Sequence, residues 1–135
     1  WRIEMLHKVL KSGFKIESCR LGTADRLIKY LTMMSIIGWR IFMINIIART
    51  NPDMPCNAVL SEAEWKVLFL KVKKGDKIPQ EIPKIKDAVV WISQLGGFLA
   101  RKGDGKPGMT TLWRGWKRLS DLVEGWNLPK ISETL

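Results

Sequence analysis

Residues 95–116, LGGFLARKGDGKPGMTTLWRGW, decide how the chain is read. Just upstream, Ile85, Val89, Ile92, Leu95 and Leu99 recur at three- and four-residue steps with Trp91 beside them, which is the spacing of one helix face. Gly96 and Gly97 interrupt that stripe, at about 1 kcal/mol per glycine relative to alanine in a helix interior. A second helix backbone coming close at that point would account for the pair. Residues 102–108, KGDGKPG, have the glycine content of a phosphate-cradling loop, but no strand pattern precedes them and no Gly-Lys-Ser/Thr follows. They read as a tight connection. Thr110 or Thr111 is then expected to cap a last helix whose stripe is Leu112, Trp116, Leu119, Val123 and Trp126, with Trp113 adjacent. Pro129 is expected to end that helix and leave a frayed tail.

Moving outward, residues 75–83, GDKIPQEIP, form a loop in which Pro83 is placed to open the next helix at its first turn. Ser61 and Glu64 have the spacing of a capping box, so a helix should run from there to about residue 73, burying Trp65, Leu68, Phe69 and Val72. Gly75 ends it. Residues 50–57, TNPDMPCN, carry turn chemistry, and a domain boundary is expected there.

Thr23 offers an N-cap, with Asp25 near the positive end of a helix expected over residues 24–49. Residues 30–48 of that helix are apolar almost all round and come close to spanning a bilayer. Arg40 at the centre, at a cost of about 2.5–3.5 kcal/mol on insertion scales, together with Thr32, Ser35 and Asn45, argues for a long buried helix instead of a membrane span.

The first residues, WRIEMLHKVLKSGFKIESCR, set Glu4, Lys8 and Lys11 at i, i+4 and i+7, one above another on a helix, flanked by His7. Ile3, Leu6 and Leu10 make an apolar stripe on another side, and Gly13 supplies a left-handed stop. Residues 14–22 read as extended or irregular. Taken alone, Glu4 and Lys8 are a solvated helix pair worth about 0.2–0.5 kcal/mol.

With 46% hydrophobic residues the 135-residue chain has enough apolar material for a core and is not disordered. Its 23 lysines and arginines against 13 acidic residues give a formal charge of +10, which points to a polyanionic partner, nucleic acid first. Lys66, Lys71, Lys73, Lys74, Lys77, Lys84 and Lys86 crowd the middle and Arg114, Lys117 and Arg118 the last helix, a pattern suited to backbone contact more than base reading. Cys19 and Cys56 fit no metal spacing and no dense disulfide framework, so a reducing cytoplasm is the expected compartment. The first residues have no charged segment leading into an apolar one, so no signal peptide is read.

The order Trp-Arg-Ile-Glu, His-Lys at three and four residues beyond Glu4, Lys11 followed by Ser-Gly, and then Arg20 resembles the C-terminal signature of bacterial cut-and-paste DDE transposases, the insertion-sequence group typified by the Tn-five transposase. Residues 95–116 are similar to the core of that family's C-terminal dimerisation domain. The resemblance implies that Glu4 is the third acidic residue of the catalytic triad and a ligand of Mg²⁺ (or Mn²⁺) in the complete enzyme. It also implies that Lys8, Lys11 and Arg20 are DNA phosphate ligands. The signature Tyr and Arg, and the two catalytic aspartates, have no counterpart in this sequence. One glutamate cannot assemble a two-metal centre, so no metal is expected to bind tightly here and the chain alone is expected to be inactive.

The fold implied is mainly α. Residues 1–49 would be the C-terminal edge of an RNase H-like α/β catalytic domain, with the Glu-bearing helix and a long helix packed between the catalytic sheet and the C-terminal helices. Residues 50–135 would be an all-helical dimerisation domain. The partners implied are transposon-end DNA and a second copy joined through the C-terminal helices, in a bacterial cytoplasm with no membrane association. The Trp stripe on the last helix serves equally as intramolecular core or as interface. A non-catalytic basic helical module that binds nucleic acid is the alternative that the charge alone supports.

Overall fold

In the computed structural model, residues 2–8, 10–11 and 20–132 are described, and among them the regular elements are all helical. The helices are α1 (Arg2–Lys8), α2 (Ala24–Thr50), α3 (Glu62–Val72), α4 (Ile85–Leu95) and α5 (Met109–Ser132), with a 3₁₀ turn at Cys56–Ala58. The chain divides into two compact units, Trp1–Met43 and Ile44–Leu135. The division falls inside α2, where the sequence suggested a boundary just after that helix.

In the first unit, α2 begins as its sequence requires. The Thr23 hydroxyl accepts from the Arg26 amide at 3.4 Å, the geometry of an N-cap. Thr32, on an exposed face, donates its hydroxyl to the Ile28 carbonyl at 2.8 Å. The helix is not buried all round, as its composition suggested. Ile41 and Phe42 are inside, whereas Ile28, Met33, Ile36 and Trp39 are more than half exposed. By length and composition α2 is apolar enough to cross a membrane, a test that the core helix of a soluble protein also passes. The expected apolar stripe of α1 is also incomplete: Leu6 and Leu10 are half-buried, but Ile3 is 69% exposed. The expected stop at Gly13, most of the connection from Phe14 onward, and Cys19 lie outside the described residues.

The second unit is built on α3, α4 and α5. The capping box of α3 is present: the Ser61 hydroxyl accepts from the Glu64 amide at 3.3 Å and the Glu64 carboxylate accepts from the Ser61 amide at 2.7 Å. Trp65, Val67, Leu68 and Phe69 are buried, with Phe69 edge-on to Trp91 of α4 at 5.8 Å between ring centroids. The helix yields to a turn in which Lys74 and Gly75 both take positive φ.

Pro83 does not open α4. The helix starts two residues later, and Lys84 at its N-cap makes no side-chain capping bond. The turn at residues 52–56 supplies acceptors instead: the Ile85 amide donates to the Met54 carbonyl at 2.7 Å and the Lys86 amide to the Pro52 carbonyl at 3.2 Å. In return the Pro83 carbonyl accepts from the Cys56 amide at 2.8 Å. Asp53 tightens the seam from outside, accepting from Lys84 at 3.0 Å and Lys86 at 2.9 Å.

At its other end α4 stops at Leu95, so Leu99 is not part of the helical stripe and stands 63% exposed. Gly97, at φ +97, donates to the Gln94 carbonyl and Phe98 to the Ser93 carbonyl, a Schellman closure that needs a left-handed residue. Gly96 serves a different purpose. A Cβ there would lie 1.9 Å from the Thr111 carbonyl oxygen, and one on Gly115 would lie 1.6 Å from the Ile92 carbonyl oxygen, so α4 and α5 cross backbone to backbone. The close approach expected at the glycine pair is found at Gly96, and its counterpart is Gly115.

Helix α5 begins earlier and ends later than its sequence suggested. Neither Thr110 nor Thr111 caps it. The Gly108 carbonyl accepts from the Leu112 amide, and the Thr111 hydroxyl, already inside the first turn, donates to that same carbonyl at 3.1 Å. Pro129 lies within the helix, which continues to Ser132. Proline keeps a helical φ there but removes the backbone donor to the Gly125 carbonyl and crowds it, so the helix continues past Pro129 with one bond fewer. Residues 130–132, expected to belong to a frayed tail, are thus helical, and the rest of that tail, residues 133–135, lies outside the described residues.

Candidate functional site

The residues singled out for chemistry lie in the first unit. Glu4 and Lys8 sit four residues apart on α1 and are both exposed, as are His7 between them and Lys11 beyond the end of α1. Arg20 is exposed ahead of α2. The spacing therefore gives a solvent-facing acidic and basic strip, as an i, i+4 pair on a helix surface must. Among the described residues no three His, Cys, Asp or Glu side chains gather to hold a metal ion. The donor set around Glu4 thus does not by itself fit a two-metal centre, which needs further carboxylates. Arg40 is exposed on α2.

The second unit holds its apolar groups in two arrangements. Leu112 and Leu119 of α5 are 1% exposed and Trp116 is 5% exposed, all closed inside the unit. One turn further on the burial stops: Val123 is half-buried, Trp126 is 42% exposed and Leu128 is 59% exposed. The stripe read from the sequence as core or interface is therefore divided along its length, core in its first half and open to solvent beyond. Arg118, read as part of a basic face, has a structural task as well, since its guanidinium donates to the Leu95 carbonyl at 2.6 Å and closes the end of α4. Composition could not show that, because an arginine on a helix reads the same whether it meets solvent, DNA or a neighbouring carbonyl.

Asn45 is 5% exposed, and in the sequence it shows only as a polar residue in an apolar run. In the structure its Nδ2 donates to the Met109 sulfur at 3.1 Å and its Oδ1 accepts from Arg49 at 3.2 Å, so α2's last turns are tied to the start of α5. Cys56 is fully buried, and burial pushes its thiol up to about 11, which leaves it unreactive at neutral pH. Asp53 is held below the ordinary carboxylate value by hydrogen bonds from Lys86 and Lys84.

Comparison with known families gives this architecture a place. The family model described as the transposase Tn5 dimerisation domain matches residues 36–134, which takes in the second half of α2 and all of α3, α4 and α5. A domain of that kind implies that two copies associate. The glycine crossing, the Trp-rich α5 and the helical second unit all fall inside the match, and on that basis the chain belongs to the Tn5 transposase dimerisation-domain family and corresponds to the C-terminal part of a transposase of that type.

Proposed function

We propose that the chain serves a transposase acting in the bacterial cytoplasm, and that two copies join through the C-terminal half of α5. The observation that carries the interface is the change of character along that helix. Its first half is closed inside the unit, while Trp126 and Leu128 present apolar surface to solvent. Aromatic groups of this kind are enriched at interface cores. Gly125 beside them has nothing within 4 Å of an added Cβ, so its backbone lies open to a partner.

In the complete enzyme Glu4 would be the third carboxylate of the catalytic triad, and Lys8, Lys11 and Arg20 would hold DNA phosphates as point charges. Bound Mg²⁺ would supply activation of the attacking hydroxyl and neutralisation of the leaving oxygen. The chain by itself, with one such carboxylate, is inactive in DNA cleavage. The apolar side chains exposed on α2, Ile28, Ile36 and Trp39, would pack on the remainder of an RNase H-like catalytic core.

Sedimentation across a concentration series tests the interface. The chain should dimerise, and Trp126→Lys combined with Leu128→Lys should leave a helical monomer. A double variant that dimerises as well as the parent would remove α5 as the interface. Catalysis has its own test: joined to an upstream family segment that carries the two aspartates, the chain should nick transposon-end DNA with Mg²⁺, and Glu4→Ala should abolish this. Nicking that survives the change would withdraw the role given to Glu4.

A further inference from the structure

A small cavity of about 180 Å³ opens in the second unit between the last turns of α2, the start of α4 and the connection before α5. Its walls are almost wholly apolar, formed by Ala48, Val89, Val90 and the buried Pro107. Cations from three separate elements stand around it: Arg49, Lys86 and Lys106. The local balance is positive. Asp53 and the neighbouring Asp87 offset Lys84 and Lys86, so the excess positive charge comes from Arg49 and Lys106. The Arg49 guanidinium donates to the neutral Asn45 amide at 3.2 Å, and Lys106 has no carboxylate partner among the described residues.

We infer that this cavity binds a small carboxylate with a compact apolar body, one ring or one branched chain in size. The volume sets the size, since an apolar cavity of about 150 Å³ takes up benzene. The walls and rim set the chemistry. A bare phosphate, including one in a DNA backbone, would use the cations and leave the apolar walls empty. An extruded base would need several hydrogen-bonding groups for its edge, and the lining offers one neutral polar side chain, Asn45, whose amide already bonds Met109 and Arg49. A carboxylate with an apolar tail uses both halves of the site, with a charge-assisted bond from Arg49 at the mouth.

The test is amide-resolved NMR titration of the full chain with benzoate, with benzamide as the uncharged isostere, inorganic phosphate as the charge without a body, and a short DNA duplex. Benzoate should give saturable shifts at Ala48, Val89 and Val90. Lys106→Ala, an exposed side chain, should weaken it by about two- to fivefold without altering the rest of the spectrum, and Arg49→Ala should do the same with further shifts confined to its contact with Asn45. Absence of saturable shifts, equal binding of benzamide, or displacement of benzoate by phosphate or the duplex would overturn the assignment.

Discussion

Gly115 is the most tightly constrained of the described glycines, because any side chain there must displace the backbone of α4. A Cβ would stand 1.6 Å from the Ile92 carbonyl oxygen, and no rotamer relieves a clash made by Cβ itself. Gly115→Ala should therefore lower stability by about 3 kcal/mol or more in urea unfolding. Gly125, ten residues along the same helix, has nothing within 4 Å, and Gly125→Ala should raise stability by up to about 1 kcal/mol through helix propensity. The pair separates packing from propensity within one helix. Buried Ser93 offers a further contrast: its hydroxyl finds no partner, so Ser93→Ala should be neutral or stabilising by about 1 kcal/mol. The close crossing was legible in the Gly96-Gly97 pair because two adjacent glycines are costly in a helix. Gly115, a single glycine between Arg114 and Trp116, gave no comparable signal, and Gly97 proved to serve the helix end instead of the crossing.

At the level of elements, legibility followed the range of the interactions. The start of α3 was readable because its cap is made by side chains three residues apart; Ser61→Ala should remove it at a cost of about 1 kcal/mol, measured by thermal unfolding. The start of α4 was misread at Pro83 because its caps are carbonyls of residues 52 and 54, and the pattern of one segment does not reveal a backbone acceptor supplied by another. Asp53 reports on that seam. Its carboxyl is held below the ordinary 3.8 by Lys86 and Lys84, so its contribution is present above that value and is lost as pH falls through the lowered one. Asp53→Asn should accordingly reduce the melting temperature at neutral pH, with the difference from the parent shrinking in strong acid. The late end of α5 is not legible at Pro129, because a proline fixes a φ that helices also use and the helix continues past it to Ser132.

For the whole molecule, the charge of +10 and the Glu4, Lys8, Lys11 strip make separable demands. If the lysines hold phosphates, Lys8→Ala and Lys11→Ala should weaken DNA binding evenly across sequences and each lower the salt slope by about 1, measured by titration at several ionic strengths. Glu4→Ala should not weaken it. The helical class and the exposure of the strip followed from periodicity, but which part of the Trp stripe stays outside did not, because a helix face reads alike whether its cover is the same chain or another copy. The seam between residues 52–56 and 83–86 also bears on how the second unit opens. The amides of Cys56, Ile85 and Lys86 all donate across it, so they should exchange with deuterium as one cooperative group, released together when the turn lifts away instead of fraying singly from the end of α4.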